Sequence, residues 1–158
     1  MMAQGSNDDL RDLYRELILD HARSPRHFGT LARSTHSAEG INPLCGDKLK
    51  LYLEVDDAGA INDIAFEGSG CAISVASASL LTDTVIGLDT KEAILFFDAV
   101  TASLSGENGR AKPSGPDLGK LRALGGVRDY PSRVKCATLA WHALRSALQN
   151  DGATATTE

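Results

Sequence analysis

The sequence predicts an α+β fold in which a small, mainly antiparallel β-sheet is covered by helices on one side. The stretch 48–55 has the residue period of a strand, and a second strand at 60–67, after the turn "DDAG", makes this a hairpin. Apolar residues at helical spacing precede this hairpin at 7–23 and recur near the end of the chain at 134–148. We therefore expect the sheet to come from the middle of the chain.

Length and composition favour one globular domain. A chain of 158 residues that is 42% hydrophobic and 23% charged buries roughly 70% of its unfolded surface and supports a single core. We expect one domain over 1–158, with mobile ends at about 1–6 and 150–158. No apolar run approaches the roughly 18 residues of a membrane span. The N-terminus lacks the charged and apolar regions of a secretion signal, so a cytoplasmic location is expected.

The charge pattern argues against nucleic-acid binding. The chain has 16 basic and 21 acidic residues, a net charge of −5, and its Lys and Arg residues are scattered. A nucleic-acid surface needs clustered basic side chains that displace counterions from phosphates.

The first predicted element is an amphipathic helix over 7–23. It should end near Ser24, because the residue before Pro25 is disfavoured in the helical conformation. A short strand is expected at 38–42. The apolar face of the helix consists of Leu10, Leu13, Tyr14, Leu17 and Ile18.

Glycines delimit the elements that follow the hairpin. The segment "GSG" at 68–70 should end the second strand, and a buried helix should run from Cys71 to about Ile86 with Gly87 at its C-terminal cap. The apolar face of this helix is Ile73, Ala76, Leu80 and Leu81.

Further helices complete the prediction. Asp89 and Glu92 have the spacing of a capping box at the start of a third helix. A polar loop at 105–117 precedes a short helix over 118–124, which "GG" should end. The last helix has Ser132 as its predicted cap and Cys136 in its first turn, beside the apolar stripe. That stripe is Val134, Ala137, Trp141, Leu144 and Leu148.

The three cysteines, Cys45, Cys71 and Cys136, are far apart in the sequence. In a reducing compartment this spacing argues against a disulfide framework and leaves buried thiols, reactive thiols and metal ligands. For a single cysteine the buried thiol is the commoner role. However, Cys71 and Cys136 both lie near predicted helix N-termini, where a thiol ionises more easily, and Cys45 leads from a turn into a strand. Together these positions favour reactive or metal-binding thiols.

A zinc site needs a fourth ligand beside three thiolates, and a carboxylate is an acceptable one. Asp47 is the candidate, because Gly46 permits a tight turn that directs Cys45 and Asp47 toward one ion. A solvated turn residue or a cap is an equally good interpretation of Asp47. The rival ligands are histidines: His21 is expected to pack at the edge of the first helix, His142 to lie on the surface, and His27 and His36 to lie in loops.

Four separated segments resemble the SufU branch of the IscU/NifU-like iron–sulfur cluster assembly proteins. These are "LYRELILDHARSPRHFG", "NPLCGDKLKLYLEV", "FEGSGCAISVASASLLTD" and "YPSRVKCATLAWHAL". The resemblance implies an IscU/SufE-like fold and identifies Cys45, Asp47, Cys71 and Cys136 as ligands of a metal or cluster. Lys135 stands where IscU-type scaffolds carry a histidine, and the Gly-rich segment 105–126 is similar to a SufU insertion. Both features favour SufU.

The SufU branch implies zinc-dependent sulfur transfer. Its members accept persulfide sulfur from a SufS-type cysteine desulfurase, and other Suf assembly proteins are further expected partners. They act as sulfur carriers similar to sulfurtransferases rather than as conventional enzymes. Our hypothesis is that Cys45 is the sulfur acceptor, because its loop gives it the most freedom to leave the metal, while Cys71 and Cys136 remain ligands with Asp47. The alternatives are a scaffold that assembles a transient [2Fe–2S] cluster from iron on the same ligands, and a regulatory module with structural zinc. The role of Arg133 is left open between orienting the site and facing solvent.

Overall fold

The computed structural model describes residues 2–104, 116–149 and 155–156, with side chains over 11–104 and 116–149. We name the helices and strands of this part of the chain in order. They are α1 (Met2–Arg23), β1 (His36–Asn42), β2 (Asp47–Val55), β3 (Ile61–Ser69), α2 (Ala72–Val85), α3 (Thr90–Leu104), a 3₁₀ helix (Gly119–Val127), α4 (Pro131–Gln149) and β4 (Ala155–Thr156).

The sheet has the order β3-β2-β1-β4. β1, β2 and β3 are antiparallel neighbours, and the two residues of β4 pair with β1 in parallel. This arrangement confirms the predicted α+β fold with a mainly antiparallel sheet. β3 extends into the predicted glycine break because Gly68 pairs with Leu49. Only glycine fits there: its φ is 142°, and a Cβ would lie 2.2 Å from the carbonyl oxygen of Lys48.

β2 shows the alternation that the sequence predicted. Leu49, Leu51 and Leu53 are buried on the helix-covered face, whereas the alternate residues Lys48, Lys50 and Tyr52 are exposed or half-buried. Asp47 has the same parity as the leucines and is also buried, at 1% exposure. The buried face of β2 therefore ends in a carboxylate.

α2 and α4 pack against each other on the covered face of the sheet. Trp141 is fully buried, and its indole N–H donates to Ser77 Oγ at 3.2 Å. α4 approaches β1 closely because Gly40 has no side chain: a Cβ there would lie 3.1 Å from Leu139 Cδ1. The largest fully buried side chains are Trp141, Phe66, Leu51, Leu53, Ile61, Ile64, Leu80, Leu81, Leu104, Leu124, Leu139 and Leu144.

α1 begins at Met2, earlier than predicted, and ends at Arg23 as expected. The prediction that Leu13 belongs to its packed face is wrong, since Leu13 is 63% exposed. Among the residues of the helix whose side chains are described, 11–23, Ile18 and His21 are buried, and α1 packs against α2 and the 3₁₀ helix. Leu10 of the predicted face lies outside the described side chains.

α4 begins one residue earlier than Ser132, so the prediction of a Ser132 cap is wrong. Pro131 is the first helical residue, where its fixed φ suits the helix and its missing N–H leaves no bond unmade. The carbonyl of Tyr130 accepts the N–H of Val134 at 3.0 Å. Cys136 consequently lies in the second turn, not the first.

The predicted helix over 118–124 is a 3₁₀ helix, and the "GG" pair does not end it. Leu118, Leu121, Leu124 and Val127 recur every three residues and are all buried. A 3₁₀ helix places residues i and i+3 above one another, so this spacing forms one apolar face that continues past the glycines. Most of the predicted polar loop at 105–117 lies outside the described residues.

No helix among the described residues is long and apolar enough to cross a membrane.

Candidate metal centre

Three chain segments meet at one end of the sheet. The loop between β1 and β2 carries Cys45, the N-terminus of α2 carries Cys71, and α4 carries Cys136. Gly46 has φ 71°, a left-handed conformation that glycine adopts without strain and that turns the loop back into β2 at Asp47. This confirms the predicted use of Gly46 as a tight turn.

Cys45, Asp47 and Cys136 form the centre of this group. One ligand atom from each lies within 4.8 Å of the others. The Cys136 thiol donates to Cys45 Sγ at 3.3 Å.

Cys71 lies at the border of that group. It is the N-cap residue of α2, as the sequence predicted, and its N–H donates to Asp47 Oδ1 at 2.9 Å. Its Sγ lies 4.0 Å from Asp47 Oδ2 and contacts the Cys136 thiol. The structure therefore brings all four residues that the sequence singled out to one place, with Cys71 outside the tight group of three.

Asp47 is held by its surroundings. Besides the Cys71 N–H, the side chain of Asn42 donates to Oδ2 at 3.5 Å. Gly70 closes the other side, because a Cβ there would lie 2.5 Å from Oδ1. The sequence left open a ligand, a solvated turn residue and a cap. Burial of Asp47 argues against the solvated turn residue, and the bond from the Cys71 N–H agrees with a capping contact at the start of α2. Its place within a group of thiols also favours a ligand.

The four residues differ in their access to solvent. Cys45 and Cys71 are exposed, whereas Asp47 and Cys136 are each 1% exposed. The group thus has a fixed inner half and an accessible outer half.

Cys136 does not have the easily ionised thiol that its predicted place at a helix N-terminus implied. Burial, together with contacts to Asp47, Cys45 and Cys71, raises the pKa of the Cys136 thiol in the metal-free chain. A thiol in this environment becomes a thiolate when a metal ion compensates the charge.

None of the four histidines belongs to the group within the described residues. His21 is buried and bonds Ser79 Oγ at 2.6 Å, which fits its predicted packing. His142 is half-buried against the ring of Phe97, so its predicted surface position is wrong. His27 lies in a loop as expected, but His36 begins β1.

Asn42 is a residue of this site that the sequence analysis missed. Its side chain is fully buried, pairs with Asp47 across the β1–β2 ladder, and donates to Cys136 Sγ at 3.4 Å. The signal was its parity: Ala38, Gly40 and Asn42 are the buried positions of β1.

The donor set suits zinc. Zinc in structural and catalytic sites binds sulfur at about 2.3 Å and carboxylate oxygen at about 2.0 Å, so tetrahedral ligands lie roughly 3.5–3.8 Å apart. The 3.3 Å and 4.0 Å separations found here are close to that spacing. Bound zinc would keep the thiols ionised.

An α+β scaffold with three thiols and a carboxylate at the end of its sheet defines a class of small proteins with a candidate thiolate–carboxylate metal centre. The NifU-like N-terminal domain model matches residues 13–137. The chain therefore belongs to the NifU-like N-terminal domain family of iron–sulfur cluster assembly proteins. This confirms the resemblance that the sequence motifs indicated.

The similar proteins include both an IscU scaffold and a SufU sulfurtransferase, the two branches that the sequence analysis distinguished. The chain is 39% identical over 140 residues to the iron–sulfur cluster assembly scaffold protein IscU of Streptococcus pyogenes serotype M1, covering 89% of this chain and 85% of that protein. It is 37% identical over 145 residues to the zinc-dependent sulfurtransferase SufU of Bacillus subtilis (strain 168), covering 92% and 95%. The solved N-terminal part of a NifU-like protein from Brucella abortus superposes with a TM-score of 0.77 at 29% identity, covering 89% and 95%.

Proposed function

We propose that this chain is a zinc-dependent sulfur acceptor in iron–sulfur cluster assembly, which takes persulfide sulfur from a SufS-type cysteine desulfurase. The observation that carries the proposal is the pairing of an exposed thiol, Cys45, with a buried one, Cys136, in one candidate metal group. Membership of the cluster assembly family and the similarity to a zinc-dependent sulfurtransferase support it.

The four proposed ligands have different roles. Asp47, Cys71 and Cys136 would hold the ion, and bound zinc would supply the charge compensation that keeps the thiols deprotonated. Cys45 leaves the group most easily, because it lies in an exposed loop next to the flexible Gly46. Its exposure also lets the persulfide of a partner protein reach its Sγ.

The proposed sulfur transfer from the partner exchanges one S–S bond for another and needs no further oxidant or reductant. The Cys45 thiolate attacks the outer sulfur of the desulfurase persulfide, whose S–S bond breaks as the new S–S bond forms. The donor cysteine leaves as a thiolate, and the transferred sulfur keeps its proton. Cys45 then carries the persulfide.

The test uses chain purified without chelator and a purified SufS-type desulfurase with cysteine as substrate. We expect zinc in the purified chain, faster alanine release by the desulfurase, and a mass increase of one sulfur atom on Cys45. Cys45→Ala should lose the acceleration and the mass increase. Ser69→Ala is the matched control, because Ser69 is exposed beside the site but is not a proposed ligand. This variant should bind zinc, accelerate the desulfurase and accept sulfur on Cys45 as the wild type does.

Two results would contradict the proposal. One is a chain that accepts sulfur and accelerates the desulfurase normally after Cys45→Ala. The other is a zinc-free chain that accepts sulfur as fast as the zinc-loaded one.

A scaffold that builds a transient [2Fe–2S] cluster is the second candidate, favoured by the similarity to a named IscU scaffold. Its cluster would use the same four residues. Anaerobic reconstitution with iron and sulfide separates the two functions: a scaffold turns brown and transfers its cluster to an apoprotein, whereas a sulfur acceptor stays colourless and keeps its zinc.

A further inference from the structure

We propose that Asn42 is a positioning residue of the metal centre, whose amide holds Asp47 and Cys136 in place as its inner half. The inference rests on the proposed zinc site and adds a residue that is not itself a ligand. It also gives a reason why Cys45, rather than Asp47 or Cys136, can leave.

The first step is the placement of the amide. Nδ2 of Asn42 lies 3.5 Å from Asp47 Oδ2 and 3.4 Å from Cys136 Sγ, so one donor group reaches two proposed ligands. Asn42 comes from β1, Asp47 from β2 and Cys136 from α4. The amide therefore joins three elements that are distant in the sequence.

The second step is the orientation of the amide. An ionised carboxylate and a metal-bound thiolate only accept hydrogen bonds, so both must meet Nδ2 rather than Oδ1. In this orientation Oδ1 is buried without a hydrogen-bond partner among the described residues. A buried oxygen left without a partner is unfavourable for folding. The Asn42 Nδ2 group thus bonds the proposed ligands while its Oδ1 has no partner. This arrangement is better explained by a role in positioning the ligands than by a role in stabilising the fold.

The third step concerns charge. Three thiolates and a carboxylate carry more negative charge than one divalent ion neutralises. Asp47 takes part in none of the ion pairs found among the described residues. Donors such as the Asn42 amide and the Cys71 N–H must therefore offset the repulsion between the buried ligands.

The arrangement makes the site asymmetric. Asp47 and Cys136 are buried and share the Asn42 donor, whereas Cys45 is exposed on the loop that follows it. When Cys45 leaves, the ligands joined by Asn42 stay in place and retain the ion.

The test compares zinc affinity with the stability of the metal-free chain. Asn42→Leu keeps the number and branching of the side-chain heavy atoms but removes both the donor and the unpaired oxygen. We expect zinc affinity, measured by competition with a chromophoric chelator, to fall by about 10–100-fold, as is typical for the loss of a group that supports metal ligands. The melting temperature of the metal-free variant should change little, because the loss of the bond to Asp47 is offset by removal of the unpaired oxygen.

Ser79→Ala is the control for a buried polar group elsewhere. Ser79 is fully buried and bonds His21 and the N–H of Arg26, away from the proposed ligands. This variant should melt at a lower temperature and bind zinc as the wild type does. If Asn42→Leu does not fold, Asn42→Ala takes its place under the same criterion.

The outcomes separate this inference from the proposed function. Wild-type zinc affinity in the Asn42 variant overturns the inference and leaves the proposed function intact. A loss of zinc affinity that accompanies a fall in metal-free melting temperature equal to that of Ser79→Ala also overturns it, because the residue would then be structural. Failure of the wild-type chain to bind zinc overturns the proposed function itself.

Discussion

Asp47 is a buried carboxylate whose charge is offset by hydrogen bonds, with no cation paired to it among the described residues. Its backbone belongs to β2, where every second residue faces the core. A strand position that could hold another leucine holds an acid instead. Such a substitution is unfavourable for the metal-free fold and is useful when an ion binds beside it.

Asp47→Asn tests this balance. The amide keeps an oxygen that can accept the Cys71 N–H, but it removes the buried charge and is a poorer zinc ligand than a carboxylate. We expect the free energy of unfolding of the metal-free chain in urea to rise, and zinc affinity to fall by at least about tenfold. Asp98→Asn, on the exposed side of α3, is the control and should change neither. Unchanged zinc affinity in Asp47→Asn would mean that Asp47 is not a ligand.

Gly70 limits the space around the same carboxylate. In Gly70→Ala the added Cβ would lie 2.5 Å from Asp47 Oδ1, so the side chain of Asp47 must move and lose its contact with the Cys71 N–H. We predict weaker zinc binding by calorimetric titration. Gly126→Ala is the matched control, because a Cβ there meets nothing within 4 Å. Equal zinc binding by both variants would show that the fit of Gly70 to Asp47 is not needed.

At the scale of elements, short sequence patterns correctly predicted the strands and turns that depend on interactions between neighbouring residues. The alternation in β2 and the turn of its hairpin depend on neighbouring residues, and both were predicted correctly. Gly87 follows the end of α2 with φ 87°, the left-handed conformation expected of a glycine at a helix C-terminus, as the sequence predicted. The 3₁₀ helix was predicted to end early because its every-third-residue pattern is uncommon and the glycines suggested a break.

The candidate site was predicted in part, for the same physical reason. Its ligands are recognisable by chemistry, since three thiols and one acid in unusual positions stand out in a sequence. Asn42 carries no such signal, because its role depends on α4 packing against β1 at Gly40. The burial of Cys136 likewise depends on tertiary packing, and it reversed the expected direction of the pKa of that thiol.

The capping box of α3 provides a prediction at this scale. Asp89 Oδ1 accepts the N–H of Glu92 at 2.7 Å, and Glu92 Oε1 accepts the N–H of Asp89 at 3.2 Å, as the sequence predicted. Asp89→Ala should lower the free energy of unfolding in urea by about 1 kcal/mol, because it leaves a helical N–H without its acceptor. Asp57→Ala, in the exposed turn of the hairpin, is the control. Equal effects of the two substitutions would contradict a specific capping role.

At the scale of the whole molecule, the site and the core use the same packed layer. α2 has Cys71 as its N-cap residue and Ser77 and Ser79 further along, where their hydroxyls bond α4, α1 and the loop after α1. The helices that carry Cys71 and Cys136 are therefore joined in the core, while Cys45 lies on the loop between β1 and β2. The proposed sulfur transfer to Cys45 would therefore require no change in the packed core.

Two histidines buried or half-buried in this layer make the stability of the metal-free chain depend on pH. Burial is the main cause that lowers the pKa of His21 and of His142 below the ordinary value of 6.5. Arg26 and Lys120 lower the pKa of His21 further, whereas Asp83 and Asp20 oppose them, and Arg145 lowers that of His142. At a pH between its folded-state and unfolded-state pKa values, each histidine is therefore neutral in the folded chain and protonated in the unfolded chain.

The sign of the effect follows from this difference. Above about pH 6.5 both states hold these histidines neutral, so their contribution to stability is fully present. As the pH falls from there through the lower pKa values of the folded state, the unfolded chain binds more protons and stability is lost. We expect the free energy of unfolding of metal-free chain in urea to decrease from pH 7.5 to about pH 5. His21→Gln, whose amide oxygen can still accept from Ser79, should reduce this slope, whereas His36→Gln is the control and should not. A slope that His21→Gln leaves unchanged would show that protonation of His21 is not coupled to unfolding.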